Sequence, residues 1–148
     1  MLTYRNILAV VDLGPDSPAV VRRARELCAG SGARLTLLHV VEFVPAEPLS
    51  DALLPTVQIE AELVERARAR LAALASEPGS PAARSEVATG NVKAQITGFA
   101  REGRHDLIVI GSHERHGLSI LVNLTEDTVL HAAPCDVLAV RLPGSRAS

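Results

Sequence analysis

The sequence predicts a single doubly wound α/β domain: a five-stranded parallel sheet with helices on both faces. Three observations predict it. Unbroken apolar runs recur along the chain, amphipathic stretches of three- and four-residue period lie between them, and the two alternate throughout the 148 residues. That length fits one domain. We assign residues 1–142 to it and residues 143–148 to a short polar tail that frays.

Ile7-Leu8-Ala9-Val10-Val11 is continuous rather than alternating, the pattern of a strand covered on both faces. Leu35 to Val41, Leu107 to Ile110 and Val137 to Leu142 follow the same style, while Arg84 to Thr89 alternates, as at a sheet edge. The first helix is expected to open with Ser17 as N-cap and Pro18 at the first helical position, where a missing N–H costs nothing. Val20, Ala24, Leu27 and Ser31 then share a face, and Gly30 and Gly32 supply the stop. In the second helix Val57, Ala61, Val64, Ala67, Leu71 and Leu74 make one stripe, with Glu62 and Arg66 as an i,i+4 pair on the other side. Pro78-Gly79-Ser80-Pro81 ends it. A third helix runs from Val92 to Arg101, capped by Asn91 and released by Gly103, and a fourth lies between Ser119 and His131.

The order β-α-β-α-β-α-β-α-β gives a Rossmann-like or flavodoxin-like sandwich with right-handed crossovers. Ligands in such sheets bind beyond the carboxyl ends of the strands. Here those ends are Asp12, Val40 to Glu42, Thr89-Gly90 and Gly111-Ser112. The connection from Glu42 to Pro55 holds Pro45, Pro48 and Pro55 and is long for a compact domain. A lid, a partner-contacting loop and a plain surface detour are the readings open for it.

Composition excludes several functions. Apolar residues are 47% of the chain, enough for a core, and the net charge is −2, which argues against a nucleic-acid or anionic-membrane binder. Tyr4, Phe43 and Phe99 are the only aromatic residues, too few for a base-stacking platform. Cys28 and Cys135 stand far apart, which excludes a disulfide framework and a cysteine-rich zinc site. No run reaches the ~18 apolar residues of a membrane span. The run ending at Asp12 lacks a cleavage-like tail, so a soluble intracellular protein is expected.

Gly111-Ser-His-Glu-Arg-His-Gly117 follows a strand and precedes a helix, where a glycine permits a sharp turn and free N–H groups can hold an anion. Five further stretches stand in order along the chain: Asn6-Ile-Leu-Ala-Val-Val-Asp-Leu, Leu37-Leu-His-Val-Val, Gly90-Asn91, Asp106-Leu-Ile-Val-Ile-Gly-Ser-His and Ala133-Pro-Cys-Asp-Val-Leu-Ala-Val-Arg. Taken together they resemble the universal stress protein family over almost the whole chain.

Members that bind ATP carry Gly-x2-Gly-x9-Gly-[Ser/Thr]. Gly111 matches the first glycine, Glu114 stands at the second, and Leu124 stands at the third, before Thr125. Aligning from the C-terminal side places the last pair at Asn123-Leu124 and still lacks the glycine. Glycines let a triphosphate approach the backbone because nothing projects from Cα. Glu114 adds both bulk and like charge, which at ~4 Å costs about 1 kcal/mol in water and about 4 at a surface dielectric. Arg115 is the sole local cation. Tight ATP binding is therefore not expected.

The broken motif resembles the subgroup typified by universal stress protein A, whose members lack the nucleotide motif. That resemblance implies a cytoplasmic, homodimeric, non-enzymatic stress-response protein with no cofactor, acting through unidentified protein partners, with no nucleic acid and no membrane. Its alternative is an ATP- or AMP-binding module, with magnesium and slow hydrolysis, in which Val10, Asp12, Val40, Gly111, Gly117 and Thr125 hold the nucleotide.

The same residues have plainer readings. Asp12 in Asp12-Leu-Gly-Pro-Asp16 suits a turn or cap, and Val40 suits the core. His113 and His116 lack a third ligand at defined spacing beside Glu114 or His39, so no metal is expected. His39 is expected to be partly buried and satisfied, and Cys135 small and buried. Ser112 and Ser119 belong to no legible Ser-His-Asp arrangement. The last strand is apolar and expected at a sheet edge, where such content invites pairing. The resemblance puts the two-fold of a homodimer at Val137, Leu138, Ala139, Val140 and Arg141.

Overall fold

The computed structural model describes residues 3–42, 53–78, 80, 83–113 and 129–142. The chain runs β1 (Asn6–Val10), α1 (Ser17–Ser31), β2 (Arg34–Val41), α2 (Leu53–Ala75), β3 (Arg84–Thr89), α3 (Val92–Glu102), β4 (Leu107–His113) and β5 (Asp136–Leu142). All strand pairs are parallel, in the order β3-β2-β1-β4-β5. Both outer strands, β3 and β5, are thus the edges that their sequences suggested.

Side chains alternate across the pleat, so each strand feeds two cores. Ile7, Ala9, Leu37, Leu107 and Val109 pack beneath α1 and α2 with Val20, Ala24 and Leu71. Leu8, Val10, Leu38, Val40, Ile108 and Ile110 face the other way, onto Ile96 and Ala100 of α3 and onto Val129. Burial on both faces is why the strands read as continuous apolar runs. A helical turn at residues 129–132 precedes β5. The rest of the expected fourth helix from Ser119, the 43–52 part of the long connection and the 143–148 tail lie outside the described residues.

Local chemistry sets the helix ends. Asn91 caps α3, its side chain accepting from the Ala94 N–H at 2.9 Å. Gly32 closes α1 in the left-handed region, φ 69°, where a Cβ would be strained. Several sequence expectations need correction. The N-cap of α1 is Asp16 rather than Ser17, which lies inside the helix because its hydroxyl is drawn back to Asp12. Helix α2 starts at Leu53, taking in Pro55 within its first turn, where no intrahelical donor is lost. Ala61 is exposed although it falls on the apolar stripe, and the ion pair on α2 is Glu65–Arg68 at 2.8 Å rather than Glu62–Arg66. Strand β4 continues to His113, because Gly111, Ser112 and His113 pair with Val140, Arg141 and Leu142.

Candidate functional site

The carboxyl edge of the sheet is built around the turn that leaves β1. Past Val10 the chain stays attached to β2, with the Val11 N–H donating to Leu38 O at 3.0 Å. His39 Nδ1 lies 2.8 Å from Val11 O. A carbonyl only accepts, so Nδ1 carries the proton and the His39 ring is fixed in that orientation. Two residues on, Leu13 adopts φ 60°, the left-handed region that a non-glycine residue rarely enters. Its side chain is buried in the α1–α2 core, and its carbonyl accepts from the Arg70 guanidinium on α2. Such a conformation persists only where the surroundings over-determine it.

Asp12 is engaged inside this turn. Its Oδ1 accepts from the Gly14 N–H at 2.8 Å and from the Ser17 hydroxyl at 3.1 Å. A Cβ at Gly14 would stand 3.1 Å from that same oxygen, so the glycine leaves room for the carboxylate to fold back. The Asp12-Leu-Gly-Pro-Asp16 segment is therefore a self-satisfied Asx-type turn, as its residues suggested. Val10 and Val40, the other two described candidates near the strand ends, are 8% and 9% exposed and pack into the α3-side core.

Gly90 leaves β3 with φ 127° and donates its N–H to Val41 O at 3.1 Å, handing the chain to the Asn91 cap. Gly111, expected at a strand-to-helix turn, lies instead within β4, paired with Val140. A Cβ there would meet Leu142 Cδ1 at 2.7 Å and Val20 Cγ2 at 3.1 Å, so close packing favours a glycine at this position. Glu114, Arg115, His116, Gly117, Ser119, Leu124 and Thr125 lie outside the described residues. His113 ends β4. Among the described residues no group of three or more His, Cys, Asp or Glu side chains is placed to hold a metal.

Neither thiol is poised for chemistry. Burial pushes the Cys28 thiol above its ordinary pKa, and burial together with the Asp136 charge does the same at Cys135. Cys135 is half-buried rather than fully buried. Along β5, Val137 and Leu138 are half-buried on opposite faces, Ala139 and Arg141 are exposed, and Val140 is core. Sequence reasoning missed Leu13 and Arg70. Arg70 reaches Leu13 across 57 positions of chain, and nothing in the local pattern of either residue announces the contact.

A five-stranded parallel sheet with helices on both faces defines a doubly wound, flavodoxin-like α/β protein. A family model for the universal stress protein family matches residues 3–141. Universal stress protein A homolog 2 of Coxiella burnetii is 38% identical over 146 residues, 98% of this chain and 100% of that protein. The chain belongs to the universal stress protein family. Among solved structures, universal stress protein UspA from Lactobacillus plantarum matches with a TM-score of 0.73 at 27% identity, over 95% of this chain and 100% of that one. A universal stress protein in complex with cAMP matches with a TM-score of 0.62 at 22% identity, over 94% and 98%, a likeness of fold alone. No described helix is long and apolar enough to cross a membrane.

Proposed function

We propose that this chain is a non-enzymatic, cytoplasmic stress-response protein that acts as a homodimer through protein partners, with a vestigial nucleotide pocket. The observation that carries the last point is the engagement of Asp12. The carboxylate that would face a ribose is turned onto its own Gly14 N–H and Ser17 hydroxyl. Val10 and Val40 support the same reading, because both are core residues with little surface to offer an adenine. Glu114 in place of a motif glycine adds bulk and like charge where a polyphosphate would lie.

Dimerisation through β5 is supported by the contrast between the two edges. Five of the seven residues of β5 are apolar, against two of six in β3, where Arg84 and Glu86 discourage pairing. An apolar edge that pairs with its own copy buries the backbone donors and acceptors it would otherwise expose.

Thermal unfolding with millimolar MgATP, and separately with cAMP, tests the pocket. A ligand at a hundredfold excess over its Kd stabilises the native state by about 2.7 kcal/mol. At about 2–4 °C per kcal/mol for a domain of this size, that is a rise of roughly 5–10 °C. We expect no rise with either ligand. A clear rise overturns the vestigial pocket in favour of the nucleotide-binding module. Sedimentation at micromolar concentration is expected to show a dimer, and a monomer there removes the homodimer.

A further inference from the structure

Parallel topology sends every strand start to one edge of the sheet, and arginines collect there. Arg5 directly precedes β1, Arg34 opens β2, Arg84 opens β3, and Arg104 lies in the turn before β4. The strand order sets them in a row, 84-34-5-104, and all four are exposed. At about 4.8 Å between strands the row is roughly 14 Å long. Arg84 lies 3.7 Å from Glu86, whereas Arg5, Arg34 and Arg104 have no ion pair among the described residues.

A cleft of about 630 Å³, within the range of small-molecule sites, opens at the Arg84-Arg34 end of this row, with Cys28 and Leu35 from the α1 side also in its lining. The last turn of α3 reaches this edge, where Gly103 O accepts from Asn6 Nδ2 at 2.7 Å, and Phe99 and Glu102 stand on the cleft wall. The register sets Asn6 beside Arg34 and Thr36 beside Arg84, so the two arginines project on the α3 side of the sheet. The lining sets Arg34 and Arg84 against Glu86 and Glu102, while its third arginine, Arg25 of α1, donates to the Leu74 and Ala75 carbonyls at 3.0 Å and lies 3.8 Å from Glu77.

We propose that this amino-end cleft binds a small organic anion, its acid group held by the Arg34 and Arg84 guanidinium groups and its apolar body lying along Phe99. Guanidinium forks match the paired oxygens of a carboxylate or phosphate. Glu86 and Glu102 repel further negative charge, which favours a single acid group over a polyphosphate. The site is separate from the carboxyl-end turn and lies toward β3, away from the β5 edge.

Titration of the full-length protein with benzoate and with phenyl phosphate, followed in amide ¹H–¹⁵N spectra, tests the proposal. Saturable shifts are expected at Asn6, Arg34, Arg84 and Phe99 while Asp12, Gly14 and Gly90 stay still, and the tighter probe identifies the acid group. Arg34→Gln with Arg84→Gln should weaken binding about tenfold or more, with the melting temperature within about 2 °C of the parent. Arg34→Lys, which keeps the charge but loses the fork, should give an intermediate loss. Three results overturn the proposal: shifts centred on Asp12 and Gly90, no saturation with either probe, or unchanged affinity in the double variant. In the last case the arginines merely offset the helix C-termini that share this end.

Discussion

Gly111→Ala asks whether this glycine serves packing. In β4, Leu107 and Val109 point into the α1–α2 core, and Gly111 is the next residue on that face. A methyl group there stands 2.7 Å from Leu142 Cδ1 and 3.1 Å from Val20 Cγ2, whereas carbon atoms rest about 3.5–4.0 Å apart. Leu142 and Val20 are each 3% exposed, so neither can swing into solvent. Something must yield by about 1 Å, and overpacking of that kind costs about 1–3 kcal/mol. At the middle of that range the melting temperature falls by roughly 4–8 °C. Leu142→Ala alone should cost about 2–5 kcal/mol through the cavity it leaves. Together the two changes should cost less than their sum by at least about 0.5 kcal/mol, because the new methyl occupies space the leucine vacated. Urea unfolding followed by circular dichroism, at one fixed protein concentration so that mass action on self-association is held constant, measures all three. A neutral Gly111→Ala, or strict additivity with Leu142→Ala, refutes the packing account.

Two further outcomes follow from the same contacts. Burial holds the His105 pKa below its ordinary value, against weaker upward pulls from backbone contacts with Phe99 and Ala100. The unfolded chain therefore binds a proton near pH 6.5 that the folded chain refuses, so stability is full above that pH and is lost as pH falls through the folded value. The urea midpoint of His105→Gln should drop less than that of the parent between pH 7.5 and pH 5 (approximate working limits of the assay), and an identical drop refutes the assignment. Asp12→Ala removes the acceptor of two hydrogen bonds and should cost about 1–2 kcal/mol in urea unfolding, whereas a cost near zero would mean the turn does not depend on that carboxylate.

The fold was legible because burial on both faces leaves an unambiguous mark. Ile7 to Val11 and Leu107 to Ile110 carry no polar residue, since each side chain enters one core or the other. Asn91 and Gly103 bracket α3 by local chemistry alone, so its limits could be read to within a residue. The start of α2 could not, because Pro55 reads equally well as loop or as first turn. Nor could the length of β4, since Gly111 and Ser112 resemble a turn and become strand only through β5, more than twenty residues later. At the carboxyl edge the turn chemistry of Asp12 was legible and its brace was not. Arg70 holds Leu13 in a left-handed conformation that no leucine advertises. The amino-end cleft forms where the last turn of α3 meets the starts of β1 and β2, a meeting that the local pattern of none of the three announces.

The two ends of the sheet are also electrically remote. Strands β1 and β2 have 5 and 8 residues, which separates the edges by roughly 16–26 Å. The Debye length at physiological salt is about 8 Å, so a charge bound at the arginine row is largely screened at Asp12. Mechanical linkage is a different matter, because α3 touches both ends. Its first turn is tied to the carboxyl edge through Gly90 and the Asn91 cap, and its last turn lines the cleft. Asn6 joins β1 to that last turn by donating to Gly103 O at 2.7 Å. Yet Ile96 and Ala100 are locked into the core at 0% and 1% exposure, so α3 cannot slide without repacking against Leu8 and Leu38. A ligand worth only a few kcal/mol cannot drive that rearrangement, since coupling is limited to the difference in its affinity for the two states. Occupancy at one edge should therefore leave the other unchanged, and the turn at Asp12 stays self-satisfied whether or not the arginines hold an anion.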